Sequence, residues 1–375
     1  MINQRYFHNL DAIRFIAAMM VFLQHDVSPA YQYLPCQNSF ALRVLQTLSS
    51  GATGVSVFFV LSGFLITYLL ITEQQRNGAI NVPKFYMRRV LRIWPLYFAV
   101  LLFAFGVYPF LKQLLGVYHE LIPRPLYYFT FLSNFDVIRT ITYFHGQDTL
   151  MQNTTWSVAV EEQFYLFWPL LFAFLPRRLW LFAISAVIAG SVGFRIWHRY
   201  DNTILFFHTF SVLADLGIGG LLALLIIEYP SIKQFFETAS TRTHFLLLLL
   251  ALMLNIWRAE IFAFPLGLAV GRVIIALSFG LIIAAQAITT QESVFNLQRF
   301  SFADKWGKYT YGIYLLHPIA LLIVDVAART LHLPTANLPG GLIAGGCCFI
   351  LTLLLSKWSY NHFESRFLAL KGKFS

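Results

Sequence analysis

The sequence predicts an all-α polytopic integral membrane protein. It would have about ten transmembrane helices around a central cavity, with both termini in the cytosol. Three observations carry that prediction. Hydrophobic residues make up 58% of the 375-residue chain and charged residues only 12%, roughly half the charged share of a soluble domain. Apolar runs of about 20 residues, the length that crosses a bilayer core, recur along the whole chain. Lysines and arginines gather in alternate connecting segments, the pattern of loops that stay in the cytosol.

The spans follow in order. Residues 9–26 come first. A basic residue precedes them but no small-x-small cleavage site follows, so they form a retained span and not a cleaved signal. The second span, 52–72, carries Ser56, Ser62 and Gly63, small residues that suit close helix packing better than nucleophilic chemistry. Span 90–111 follows. Residues 121–135, "LIPRPLYYFTFLSNF", are short and flanked by proline, and read as an interfacial or re-entrant piece. Spans 156–175, 179–197, 205–228, 244–258, 266–287, 308–330 and 341–358 complete the set; the last opens on a packing signal, Gly341–Gly345.

With ten spans the cytosolic segments hold Arg76, Lys84, Arg88, Arg89 and Arg92, then Arg177 and Arg178, then Lys233 and Arg242. Arg299, Lys305 and Lys308 follow, then Arg366, Lys371 and Lys373. Counting 121–135 as an eleventh span would move every later group to the wrong side. The net charge of +10 is thereby explained by loops and implies no nucleic acid. There is no strong internal repeat, no low-complexity stretch and no long soluble extension, so a single membrane domain is expected over residues 1–375. Cys36, Cys347 and Cys348 have no metal-binding spacing, and no Walker, HExxH or G-x-S-x-G motif occurs. No metal is expected.

Ionisable residues inside lipid are costly and mark candidate sites. Arg14 and His25 are eleven residues apart in the first span, which is roughly 16 Å along a helix and about 20° around it. They share a face and could line one pore, although snorkelling would also account for the arginine. In "KFYMRRVLRIWPLY", Arg88 and Arg92 share a face. Pro95 frees the carbonyl of Leu91, and the cluster can grip phosphates or simply set topology. Glu161 and Glu162 are adjacent in an apolar helix on the outer side, with Tyr165 three residues beyond Glu162; they suit proton transfer or an ion pair. Tyr314 and His317 are also three apart, with Pro318 next; such a histidine is either a packing residue or a support for another group.

Taken together, these stretches resemble the membrane-bound acyltransferase-3 family. "NLDAIRFIAAMMVFLQH" resembles its opening Arg-x10-His segment, "FFVLSGFLI" its second-span signature and "RRVLRIWPLYF" its basic Arg-x-x-x-Arg-x-x-Pro segment. "TWSVAVEEQFYLFWPLL", "YTYGIYLLHP" and "YNHFESRF" resemble its later motifs, all in the family's order over nearly the whole chain. The closing motif departs, because Ser365 and Arg366 follow Glu364 where the family often has Glu-x-Pro, which weakens any role for Glu364.

The resemblance implies transfer of an acetyl or other acyl group from cytosolic acyl-CoA to a carbohydrate hydroxyl across a bacterial-type inner (cytoplasmic) membrane. Such acceptors include lipopolysaccharide, exopolysaccharide and other cell-envelope sugars. It implies donor binding by Arg14, Arg88, Arg89 and Arg92. His25 would be the general base and Glu162 the group that orients or recharges it. Trp156, Glu161, Tyr165, Tyr314 and His317 would surround the acceptor. A stand-alone form without a soluble extracytoplasmic domain is expected. The alternative reading is a proton-coupled transporter or lipid-linked sugar translocase that uses Arg14, Glu162 and His25 as a relay. A scaffold role would leave the intramembrane charges unexplained.

Overall fold

The computed structural model describes residues 7–34, 39–114, 123–144, 154–289 and 296–374; Cys36 and residues 121–122 lie outside these. Ten helices of sixteen residues or longer occur among the described residues, and no strand. They are α1 (His8–Asp26), α2 (Gly51–Asn77), α3 (Val82–Leu102), α4 (Trp156–Phe174) and α5 (Trp180–Trp197). They continue with α6 (Thr209–Glu228), α7 (Thr241–Ile256), α8 (Pro265–Ile288), α9 (Thr310–Thr330) and α10 (Leu338–Ser359).

Seven helical stretches are long and apolar enough to cross a membrane, or eight if a bent pair counts as one. In that pair a short helix, Pro230–Thr238, meets α7 at 97°; Ser240 stands in the break and its hydroxyl caps α7. The bend explains why the segment expected at 244–258 is a sixteen-residue helix. The other two expected segments, 9–26 and 156–175, form α1 and α4, which carry Asp11, Arg14 and Asp26 and the pair Glu161 and Glu162. Within 121–135 the chain makes a five-residue helix, Pro125–Phe129, and enters another at Ser133; neither reaches membrane-crossing length.

One boundary changes the site. The third span was expected from residue 90, yet α3 begins at Val82. The side chain of Asn81 accepts from the amide of Lys84 at 3.0 Å, and Pro83 sits in the first turn. The arginine cluster therefore lies inside the helix and not in a loop ahead of it.

Small residues set how the bundle closes. A Cβ at Gly63 would strike the backbone of Leu216, and one at Gly219 the carbonyl of Val60, so α2 and α6 touch backbone to backbone. Gly341 and Gly345 of α10 pack on Ala30 and Val27. The thiol of Cys348 donates to Asp26 Oδ1 at 2.7 Å. The end of α1 is therefore level with the middle of α10, whose first residue is about 15 Å farther along. The turn Ser28–Tyr33 carries the chain on beside α10.

Candidate active site

A basic face forms where α1, α3 and the C-terminal segment meet. Arg88 pairs with Glu73 at 2.8 Å and donates to the carbonyl of Phe374 at 2.8 Å. The ring of Phe7 packs on Tyr68, near the same end of α2, at 4.8 Å. Both ends of the described chain thus lie towards the C-terminal end of α2. Arg14 forms an ion pair with Asp11 one turn earlier, and Asp11 is held against Gly307, where no Cβ would fit. Lys371 lies within electrostatic reach of Arg14, Arg88, Arg89 and Arg92. Arg92 faces Glu364 in the same way, and Glu364 accepts from Ser359 Oγ at 3.0 Å. Sequence reasoning did not connect Lys371, Asp11 or Glu73 with the arginines; only the fold brings residues 11, 73 and 371 together.

Deeper in the bundle, Arg89 projects over the rings of Phe85 and Tyr165 at 5.6 and 5.9 Å. Tyr165 donates to Glu161 at 3.2 Å and is hydrogen-bonded to Ser62. Trp94 Nε1 donates to Glu162 at 2.9 Å, and Arg89 is within electrostatic reach of Glu162. Arg89 Nε and Glu162 Oε1 are buried without hydrogen-bond partners among the described residues.

His25 stands at the far end of α1. Its Nδ1 is 3.1 Å from Nε2 of His317, and the ring planes differ by 11°. His317 is 1% exposed, and its Nδ1 is 2.8 Å from the carbonyl of Tyr314. Tyr314 Oη donates to the carbonyl of Thr154 at 3.0 Å and is 2.6 Å from Ser157 Oγ. Only one phenolic proton exists, so Ser157 donates to Tyr314. The first turn of α4 is thereby tied to the histidine pair.

The structure therefore divides the residues nominated from sequence. His25, His317, Tyr314 and the start of α4 form one group. Arg89, Glu161, Glu162 and Tyr165 form a second, nearer the basic face. The group bonded to His25 is His317; the carboxylate of Glu162, expected to orient His25, is bonded to Trp94. The reason is register: Glu162 is five residues beyond Ser157 in α4, about 7.5 Å farther along the helix. Trp156 is 5% exposed and enclosed by Phe59, Phe206 and Phe207.

A cavity of about 660 Å³ is lined by Asp11, Asp304, Lys305, Trp306, Lys308, Tyr309 and Lys357. None of the residues nominated for donor or acceptor lines it.

Two further buried charged groups were not singled out from sequence. Arg272 pairs with Asp215 at 2.9 Å, and Ser56 donates to the same carboxylate at 2.8 Å. Arg195 donates to the carbonyls of Leu205, Ser211, Leu268 and Ala269. The available signal was a lone charge in each of three apolar runs.

The acyltransferase domain family matches residues 7–357. The chain belongs to the acyltransferase-3 family. With its seven to eight apolar helices it is a multi-pass membrane member of that family. It is 32% identical over 235 residues to the O-acetyltransferase OatA of Staphylococcus aureus strain NCTC 8325, which covers 60% of this chain and 35% of that protein. A candidate O-acetyltransferase of S. aureus strain COL is 29% identical over 234 residues, with the same coverage. The chain thus spans about a third of the length of the relatives it matches. No solved structure matches it.

Proposed function

We propose that this protein transfers an acetyl or related acyl group from cytosolic acyl-CoA to a hydroxyl of a carbohydrate at the far side of the membrane. The observation that carries the reading is the layout of α1. A cationic cluster surrounds its Arg14 end, and a hydrogen-bonded imidazole stands eleven residues away. Family membership and likeness to O-acetyltransferases support the chemistry.

Arg14, Arg88, Arg89, Arg92 and Lys371 bind the donor phosphates; the guanidinium forks suit them. The acyl-bearing arm runs beside Tyr165 and the wall of α4 towards His25. The imidazole takes the proton of the acceptor hydroxyl as its oxygen attacks the thioester carbonyl. The new C–O bond forms, the C–S bond breaks, and the proton passes from His25 to the departing thiolate. General-base catalysis of this kind contributes roughly 10²–10⁴-fold. Glu161, Glu162 and Tyr165 serve the donor passage in this reading, while Tyr314 and His317 support the base.

Counting α1, α4 and the bent pair as spans gives ten crossings. An even number fits the position of both described ends towards the C-terminal end of α2, and that side is cytosolic by the bias of its lysines and arginines. We assign the protein on this basis to a bacterial-type cytoplasmic membrane.

The test is His25→Ala in purified protein supplied with acetyl-CoA and a glycan acceptor. Loss of both CoA thiol release and acylated product, in a variant that still inserts and melts normally, is expected. Undiminished product would end the assignment. Solute movement by the wild type without thiol release would favour the transporter.

A further inference from the structure

We infer that His317 is a positioning residue that fixes the tautomer of His25, so that Nε2 of His25 is the reactive nitrogen. This rests on the reading of His25 as the base and specifies which atom acts.

The argument is a count of protons. A backbone carbonyl only accepts, so Nδ1 of His317, 2.8 Å from the carbonyl of Tyr314, carries the N–H. A neutral imidazole has one such hydrogen, so Nε2 of His317 presents a lone pair. Nδ1 of His25, 3.1 Å away, is then the donor. The remaining nitrogen of His25, Nε2, is left without hydrogen, and among the described residues nothing is hydrogen-bonded to its lone pair. The 11° angle between the ring planes lets an in-plane N–H meet an in-plane lone pair. Among the described residues no carboxylate is hydrogen-bonded to either ring, so the pair is read as neutral, without a directly bonded counter-ion.

The sequence explains why the carbonyl of Tyr314 is available. In a regular helix it would accept the amide of residue 318. That residue is Pro318, which has no N–H. Proline thus orphans the acceptor, and the neighbouring histidine fills it. The segment Tyr314 to Pro318 is a device for holding one imidazole in one protonation pattern and aiming its far nitrogen at His25.

Three measurements on the full-length protein in detergent or nanodiscs test this. The first is the ¹⁵N spectrum of histidine-labelled protein, with His25 assigned by difference from His25→Gln. Protonated Nδ1 and unprotonated Nε2 are expected; the reverse pattern overturns the inference even if His25 is essential. The second is turnover of His317→Ala. Its kcat should fall by about 10²- to 10⁴-fold, between the loss of an orienting partner and the wrong-tautomer penalty, with KM for acetyl-CoA within about threefold. The third is His317→Gln, whose Oε1 replaces the Nε2 lone pair and should restore kcat to within about tenfold of wild type. Normal turnover in His317→Ala overturns the inference. So does a His317→Gln variant that melts like wild type but is as slow as His317→Ala. His25→Ala, assayed alongside, reports separately on whether His25 is the base at all.

Discussion

Lys371 is surrounded by its own sign of charge, and that makes Lys371→Met an informative perturbation. Arg14, Arg88, Arg89 and Arg92 all act on it. Two unit charges about 8 Å apart repel by about 2 kcal/mol at an effective dielectric of about 20. Asp11 and Glu73 offset Arg14 and Arg88 through ion pairs, and Glu364 and Glu162 partly offset Arg92 and Arg89. The uncancelled repulsion on Lys371 is then nearer ~1 kcal/mol. Removing the charge should stabilise the donor-free protein by that amount, a rise of about 1–2 °C in Tm for a chain of this size. Under the proposed donor binding, the same change removes one charged contact to a phosphate, about 1.5 kcal/mol, or roughly tenfold in KM for acetyl-CoA. Thermal melting with and without acetyl-CoA, at low and high salt, reads both effects. The gain in the donor-free state should shrink as salt screens the cluster. A variant that melts lower without donor, and whose KM is unchanged, would refute the view of this face as an anion receptor whose like charges are held together for a ligand.

Further outcomes follow from packing and charge. Asp215→Leu and Arg272→Leu should each destabilise by about 3–5 kcal/mol, because each leaves a buried charge alone, whereas the double variant should melt close to wild type; additive losses in detergent melts would disprove the coupling. Arg195→Met should cost at least ~3 kcal/mol by removing the charge-assisted hydrogen bonds from its fork to four carbonyls, and Arg195→Lys should not rescue it, since one ammonium cannot replace the fork. Pro318→Ala should raise Tm by restoring a helix hydrogen bond yet slow turnover several-fold, because an amide then competes for the carbonyl used by His317; unchanged kcat contradicts that competition. Gly63→Val should destabilise by about 1–3 kcal/mol or more through collision with Leu216, whereas Gly190→Ala, which meets open space, should be neutral or slightly stabilising.

The helices were legible because their signal is local. Twenty apolar residues, a capping Ser or Asn and a glycine or proline at the boundary are written side by side. The start of α3 was misjudged for a related reason: hydropathy finds the lipid-facing part of a helix, and the Asn81 cap adds two basic turns that hydropathy does not count. Within the site, Arg14 and His25 were readable because both lie on one helix, where spacing fixes direction. The bond between His25 and His317 joins residues 292 positions apart, and no periodicity reports such a pairing. Pro318 hinted at a free carbonyl, but only the neighbouring helix determines what fills it. Glu162 was matched with His25 by chemistry alone, whereas helical rise sets it beside Trp94. Asp215 and Arg272 were visible as isolated charges, and their mutual neutralisation was not.

The level at which α1 stops has a bearing on how an acceptor would arrive. Asp26 bonds Cys348, ten residues into α10, so the imidazole next to it lies about 15 Å from the level at which α10 begins. Under the proposed function, an acceptor hydroxyl coming from that side has to extend past the first turns of α10 to reach His25, so the reach of the acceptor would matter as much as its chemistry.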